Sequence, residues 1–155
     1  LNTRELNPRR TYSTEHNSEC HRGRALNDLL IILVVEDEVL IQSMLNEALQ
    51  EGGFATKIVS SGEDAVKLLD DSEPKYRALV TDINLGRGKL DGWEVARHAR
   101  EVDPDIPVVY MTGDSAADWS SKGVPNSILI TKPFAPAQIL TAVSQLLNAG
   151  TAPTQ

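Results

Sequence analysis

The chain has 155 residues, a formal net charge of −7, 41% hydrophobic residues, few aromatics and a single cysteine, Cys20. That is one domain's length with an aliphatic core, without an internal disulfide and without an apolar run near the roughly 20 residues of a membrane helix. Five arginines against four acids leave residues 1–28 at +1 and the remainder at −8, a balance that repels nucleic-acid phosphates and argues against direct nucleic-acid binding.

Residues 1–28 are polar and aperiodic and read as a disordered extension. His16, Cys20 and His21 offer three metal-ligand types without a fourth, a poor zinc site. No basic, apolar leader pattern precedes Leu29, which predicts a cytoplasmic protein with no membrane partner.

From Leu29 the pattern becomes regular. Leu30–Val35 is a continuous aliphatic strand of the kind buried on both faces. Leu40, Ile41, Met44, Leu45, Ala48 and Leu49 recur at helical spacing, and Gly52-Gly53 stops that helix. Ala55–Val59 is a short strand, and Ser61 to Asp64 resembles a capping box opening a helix with Ala65, Val66, Leu68 and Leu69 inward. Arg77–Thr81 is a third strand, ending in Asp82. After a loop with Gly86, Gly88 and Gly92, a helix carries Trp93, Val95, Ala96, Ala99 and Val102 and closes at Asp103-Pro104. Pro107–Met111 is a fourth strand, Ser115–Ser121 one or two helical turns, and Ser127–Thr131 a fifth strand. Ala135-Pro136 opens a last helix through Ile139, Leu140, Val143, Leu146 and Leu147, expected to fray from Gly150. The domain therefore spans 29–148, with a short flexible tail over 149–155.

Strands alternating with helices predict an α/β, doubly wound parallel sheet covered on both faces by right-handed crossovers. Ligands of such sheets sit beyond the carboxyl ends of the strands, where the strand order reverses. The strand ends here carry Glu36 and Asp37, then Asp82, then Thr112-Gly113, then Lys132. Carboxylates from Glu36, Asp37 and Asp82 brought close together need a cation to stay ionised, and their hard oxygens suit Mg2+. Asp82 could then act as a nucleophile toward phosphorus, forming an aspartyl-phosphate. Lys132 would offset charge on the transferred group, and the Thr112 hydroxyl could donate to it. Singly, each residue is an ordinary turn or cap former; all four on four strand ends of one sheet are not.

In that order and on those strand ends, Glu36-Asp37, Asp82, Thr112-Gly113 and Lys132-Pro133-Phe134 resemble the receiver domain of two-component response regulators, and the Pro107 to Asp114 stretch with the weak fourth helix resembles a subgroup of stand-alone alphaproteobacterial receivers. The resemblance covers residues 29–148 and implies a flavodoxin-like, five-stranded sheet of order 2-1-3-4-5. It implies a signalling phosphoacceptor rather than a conventional enzyme, with Asp82 charged by a sensor histidine kinase or a histidine phosphotransfer protein. Mg2+ would be held by Asp37, Asp82 and the carbonyl of Asn84, with Glu36 close by. Thr112 and Lys132 would contact the phosphoryl group, and the Lys132–Pro133 peptide would be cis.

Three features depart from the family pattern. Glu36 replaces a common Asp, and the loop from Leu85 to Asp91 is glycine-rich and slightly long. Leu129 stands where many receivers carry a switching aromatic, with Tyr110 on the neighbouring strand as the candidate substitute. After Leu147 only a short stretch follows, so output is expected through a changed surface read by an unknown downstream protein, the chain being a monomer or weak homodimer. Two alternatives stay open: a static, non-phosphorylated interaction module, and a haloacid dehalogenase-type phosphatase. The latter wants a second carboxylate two residues after the nucleophile, where this chain has Asn84.

Overall fold

The computed structural model describes residues 30–86 and 88–151. The predicted disordered extension, with His16, Cys20 and His21, lies outside the described residues. In chain order the elements are β1 (Ile31–Val35), α1 (Val39–Glu51), β2 (Ala55–Val59), α2 (Gly62–Asp70), β3 (Ala78–Asp82), α3 (Gly92–Val102) and β4 (Val108–Thr112). A 3-10 turn (Ala116–Asp118) then leads into the short α4 (Trp119–Lys122), followed by β5 (Ser127–Thr131) and α5 (Pro136–Thr151). All strands are parallel, in the order β2-β1-β3-β4-β5. This is the predicted doubly wound sheet. Among the described residues, no helix is long and apolar enough to cross a membrane.

Strand alternation divides the core in two. Leu33, Val35, Leu79, Val108 and Tyr110 point to the side covered by α2 and α3, packing with Ala65, Leu69, Trp93, Val95, Ala96 and Ala99. Ile32, Val34, Ala78, Val80, Val109 and Met111 point to the other side, against Leu45 and Leu49 of α1 and Ile139 and Val143 of α5. Because both faces of the sheet are interior, the central strands do not alternate with polar residues: β1 is aliphatic throughout, and β3 and β4 are apolar up to Val80 and Met111.

Several boundaries differ from the sequence reading, β1 beginning at Ile31 and not Leu30. β3 and β4 each begin and end one residue later than expected. Pro107 has no N–H to give the ladder, although its carbonyl accepts from Leu79 at 2.9 Å, so the full strand starts at Val108. Asp82 and Thr112 are thereby inside the ladder, in register with Met111 and Thr131. At the other end of the chain, α5 continues through Gly150 to Thr151 instead of fraying. The Gly52-Gly53 stop is as predicted, with Gly53 taking the left-handed φ of 90° that a glycine tolerates.

The helix cap nearest the sheet switch point is tightly fitted. Asp91 caps α3 by accepting the Glu94 N–H at 2.9 Å. The next residue, Gly92, lies so close to the end of β3 that a Cβ there would stand 2.2 Å from the Asp82 carbonyl oxygen and 2.8 Å from Ile83 Cα. Both of those atoms are backbone, which cannot step aside. Gly92→Ala is therefore expected to lower the unfolding free energy in urea by roughly 1–3 kcal/mol, the range for overpacking.

Candidate phosphoacceptor site

The strand order reverses between β1 and β3, so the first polar residues beyond β1 and at the end of β3 face one crevice. Among the described residues the buried polar or charged ones are Glu36, Thr81, Asp82 and Thr112. All of them sit at this end of the sheet. Extending each strand's alternation by one residue puts Glu36 after Val34, Asp82 after Val80 and Lys132 after Ile130, on the α1/α5 side. There they meet: Lys132 Nζ donates to Glu36 Oε1 at 2.9 Å and to Asp82 Oδ2 at 3.1 Å.

Lys132 is positioned by the sheet itself, since its N–H donates to the Thr112 carbonyl at 2.7 Å. The Lys132–Pro133 peptide that follows is cis, as is Glu73–Pro74. Glu36 is fully buried, and its second oxygen accepts the N–H groups of Asp37 (2.9 Å) and Glu38 (3.3 Å). Gln42 of α1 secures the same turn from above, donating to the Glu36 carbonyl and to Ser60 Oγ. Glu36 thus holds the turn and the ammonium, leaving its neighbour Asp37 half-exposed at the mouth.

Two buried carboxylates share one ammonium, and their acidities register it. Burial pushes the Glu36 carboxyl up to about 7 against the pull of the Lys132 hydrogen bond, with the Asp82 charge adding to the rise. Burial also raises Asp82, again opposed by Lys132. For Lys132 burial works against the charge, but Glu36 and Asp82 outweigh it and its pKa rises. The site favours additional positive charge.

Glu36, Asp37 and Asp82 each offer a carboxylate oxygen, and these atoms lie within 4.8 Å of one another. An all-oxygen donor set of that size beside a half-exposed mouth fits a hard divalent cation such as Mg2+. For Asn84 the expectation concerned its main-chain carbonyl. Its side chain is committed across the mouth, where Nδ2 donates to Asp114 Oδ1 at 2.7 Å and more weakly to Ser115 Oγ at 3.4 Å. Thr112, fully buried, accepts the N–H of Ser115 at 2.8 Å and of Asp114 at 3.3 Å on Oγ1.

Sequence reasoning missed Asp114 and Ser115 as members of this network. The available signal was an offset: Asn84 lies two residues after Asp82, and Asp114 two after Thr112, so strands in register bring those positions together. Tyr110, the suggested substitute for a switching aromatic, is held on several sides. That ring is fully buried and packs on Trp93 with centroids 4.7 Å apart, while its hydroxyl accepts the Val124 N–H at 3.1 Å. Tyr110 is an anchor for the end of the 113–123 segment, and Leu129 is partly buried against the same cluster.

The site's charge imbalance makes a stability prediction. Asp82→Asn removes one of the carboxylates sharing Lys132 and keeps an oxygen for its hydrogen bond. Without divalent cations the variant should melt higher than the parent chain, with a gain of about 0.5–2 kcal/mol, read by thermal denaturation in chelator.

The family model for the response regulator receiver domain matches residues 32–144. The crystal structure of a response regulator receiver protein from Sinorhizobium medicae WSM419 is similar at a TM-score of 0.75 and 45% identity, over 79% of this chain and 97% of that one. The response regulator receiver protein CpdR of Brucella abortus (strain 2308) is 30% identical over 120 residues, covering 76% of this chain and 97% of CpdR. Response regulator MprA of Mycobacterium sp. (strain KMS) is 29% identical over 119 residues, but these make up 50% of MprA. The chain therefore matches about half the length of the MprA relatives.

Proposed function

This chain belongs to the response regulator receiver family, and on that premise we propose that Asp82 is its phosphoacceptor, with Mg2+ held by Asp37, Asp82 and the Asn84 carbonyl. The observation that carries the reading is the Lys132 ammonium bridging Glu36 and Asp82 in a buried cluster of excess negative charge. Mg2+, when bound, neutralises charge on the phosphoryl oxygens. The donor is a phosphohistidine of a sensor kinase or a phosphotransfer protein. An Asp82 oxygen attacks phosphorus, the P–N bond breaks, and the imidazole leaves with the electron pair and takes a proton from solvent. Lys132 is already at hydrogen-bond distance from Asp82, so it offsets charge on the arriving oxygens without reorganising.

Thr112 couples the new group to the surface. Its hydroxyl accepts two amides, which leaves its proton for a phosphoryl oxygen. A shift of Thr112 toward Asp82 draws Asp114 and Ser115 with it and strains the Asn84 hydrogen bonds. The segment they begin is held at its far end by Tyr110 on Val124 and by Trp119 Nε1 on Ser127 Oγ at 3.0 Å. Displacement at one end with the other end fixed reorients the 3-10 turn and α4. The exposed Trp119 lies on that segment, and the face it presents is what a downstream protein reads. In this chain the message runs through Thr112 and needs no mobile aromatic at Leu129. The acyl phosphate carries about −1.5 to −2 charges in place of the carboxylate's single one and brings new acceptor oxygens, ample to drive such a rearrangement.

The first test is intact-mass measurement after incubation with a small phosphoryl donor and, separately, with a phosphorylated histidine kinase. A Mg2+-dependent gain of one phosphoryl group that is absent from Asp82→Asn is the expected result. Absence of any gain with either donor in the parent chain overturns the reading. Thr112→Ala should still become phosphorylated, but with little or none of the fluorescence change of Trp119 that accompanies phosphorylation in the parent chain, Trp93 being buried and common to both measurements.

A further inference from the structure

The described residues of the loop between β3 and α3 are hydrogen-bonded near both of its ends. Its ends are closed by the Gly92 N–H donating to the Ile83 carbonyl at 2.8 Å. Near its start, the Gly86 N–H donates to Asp37 Oδ2 at 3.1 Å. Near its end, one oxygen of Glu63, on the first turn of α2, accepts both the Lys89 N–H at 2.7 Å and the Leu90 N–H at 2.8 Å. Between these two points Gly88 takes a φ of 86°, and a Cβ there would fall 2.0 Å from Glu63 Oε2. The loop's backbone is shaped around the Glu63 carboxylate.

Glu63 has this task to itself. The cap of α2 comes from Ser61, whose Oγ accepts the Asp64 N–H at 3.2 Å. Acceptance of the Leu90 and Lys89 amides lowers the Glu63 pKa, keeping it a charged acceptor. The side chain of Leu90, which the clasp brings against α2, packs where a Cβ on Gly62 would otherwise sit.

We propose that Glu63 is a positioning residue of the phosphoacceptor site: by clasping Lys89 and Leu90 it keeps the Gly86 amide on Asp37 and so fixes the Asp37 carboxylate for a divalent cation. The inference rests on the reading of Asp37 as a Mg2+ ligand. Its physical basis is the rotation of a half-exposed carboxylate, which an amide on one oxygen restrains. A ligand restrained before the metal arrives loses less freedom when it binds. Glu63 itself touches neither metal nor phosphoryl group; it acts through the loop.

The test is a calorimetric Mg2+ titration of the full chain, of Glu63→Ala, Glu63→Gln and Ser61→Ala, with amide hydrogen exchange across 83–92 in each. Glu63→Ala should weaken Mg2+ binding about tenfold, the lower end for a lost ligand-orienting contact, and lose protection at Lys89 and Leu90. Glu63→Gln keeps a carbonyl oxygen for both amides and should retain most of the affinity. Ser61→Ala should melt lower, through loss of the cap, yet bind Mg2+ like the parent. Parent-like affinity in Glu63→Ala overturns the inference while leaving the Mg2+ site standing. Equal weakening in Ser61→Ala overturns it too, since the effect would then be general destabilisation. A parent chain that takes up no Mg2+ removes the metal reading and the inference with it.

Discussion

The Lys132 ammonium between Glu36 and Asp82 is the constraint on which this end of the molecule depends. Burying a carboxylate costs several kcal/mol unless a cation and hydrogen bonds repay it, and here two are buried on three parallel strands' worth of backbone. The sheet makes the arrangement possible because β1, β3 and β5 present their last inward residues on the same face, three ends that sequence separates by 96 and 50 positions. One ammonium is too little for two buried carboxylates with Asp37 at the mouth. Burial raises the pKa of both carboxyls, and the shortfall of positive charge suits a divalent cation at the mouth.

Around this centre the structure arranges two hydrogen-bonded networks. On one side, Thr112, Asp114, Ser115 and Asn84 form a chain of hydrogen bonds across the mouth. On the other, Asp37 and Glu63 hold the β3–α3 loop at its two ends. Apart from the buried Thr112, the members of both sets are exposed or half-exposed, and backbone amides supply most of the donors. The rigidity lies below: Tyr110 packed on Trp93 and bonded to Val124 holds the far end of the 113–123 segment.

The sequence by itself determined the strands, the faces of the helices and the members of the acidic and basic cluster. Unbroken aliphatic runs at 30–35 and 128–130 and helical repeats between them leave little freedom in an α/β sheet, and a strand-end carboxylate paired with a strand-end lysine follows from the cost of buried charge. Only the tertiary structure decided what the neighbours of that cluster do. Periodicity reports which face a residue takes within its own element, whereas the partners of Glu63, Asn84, Asp114 and Tyr110 belong to other elements. Glu63 in particular reads as a first-turn acid favoured by the helix dipole, and its hold on Lys89 and Leu90 exists because the packing of α2 beside α3 brings a loop 26 residues away within 2.7 Å.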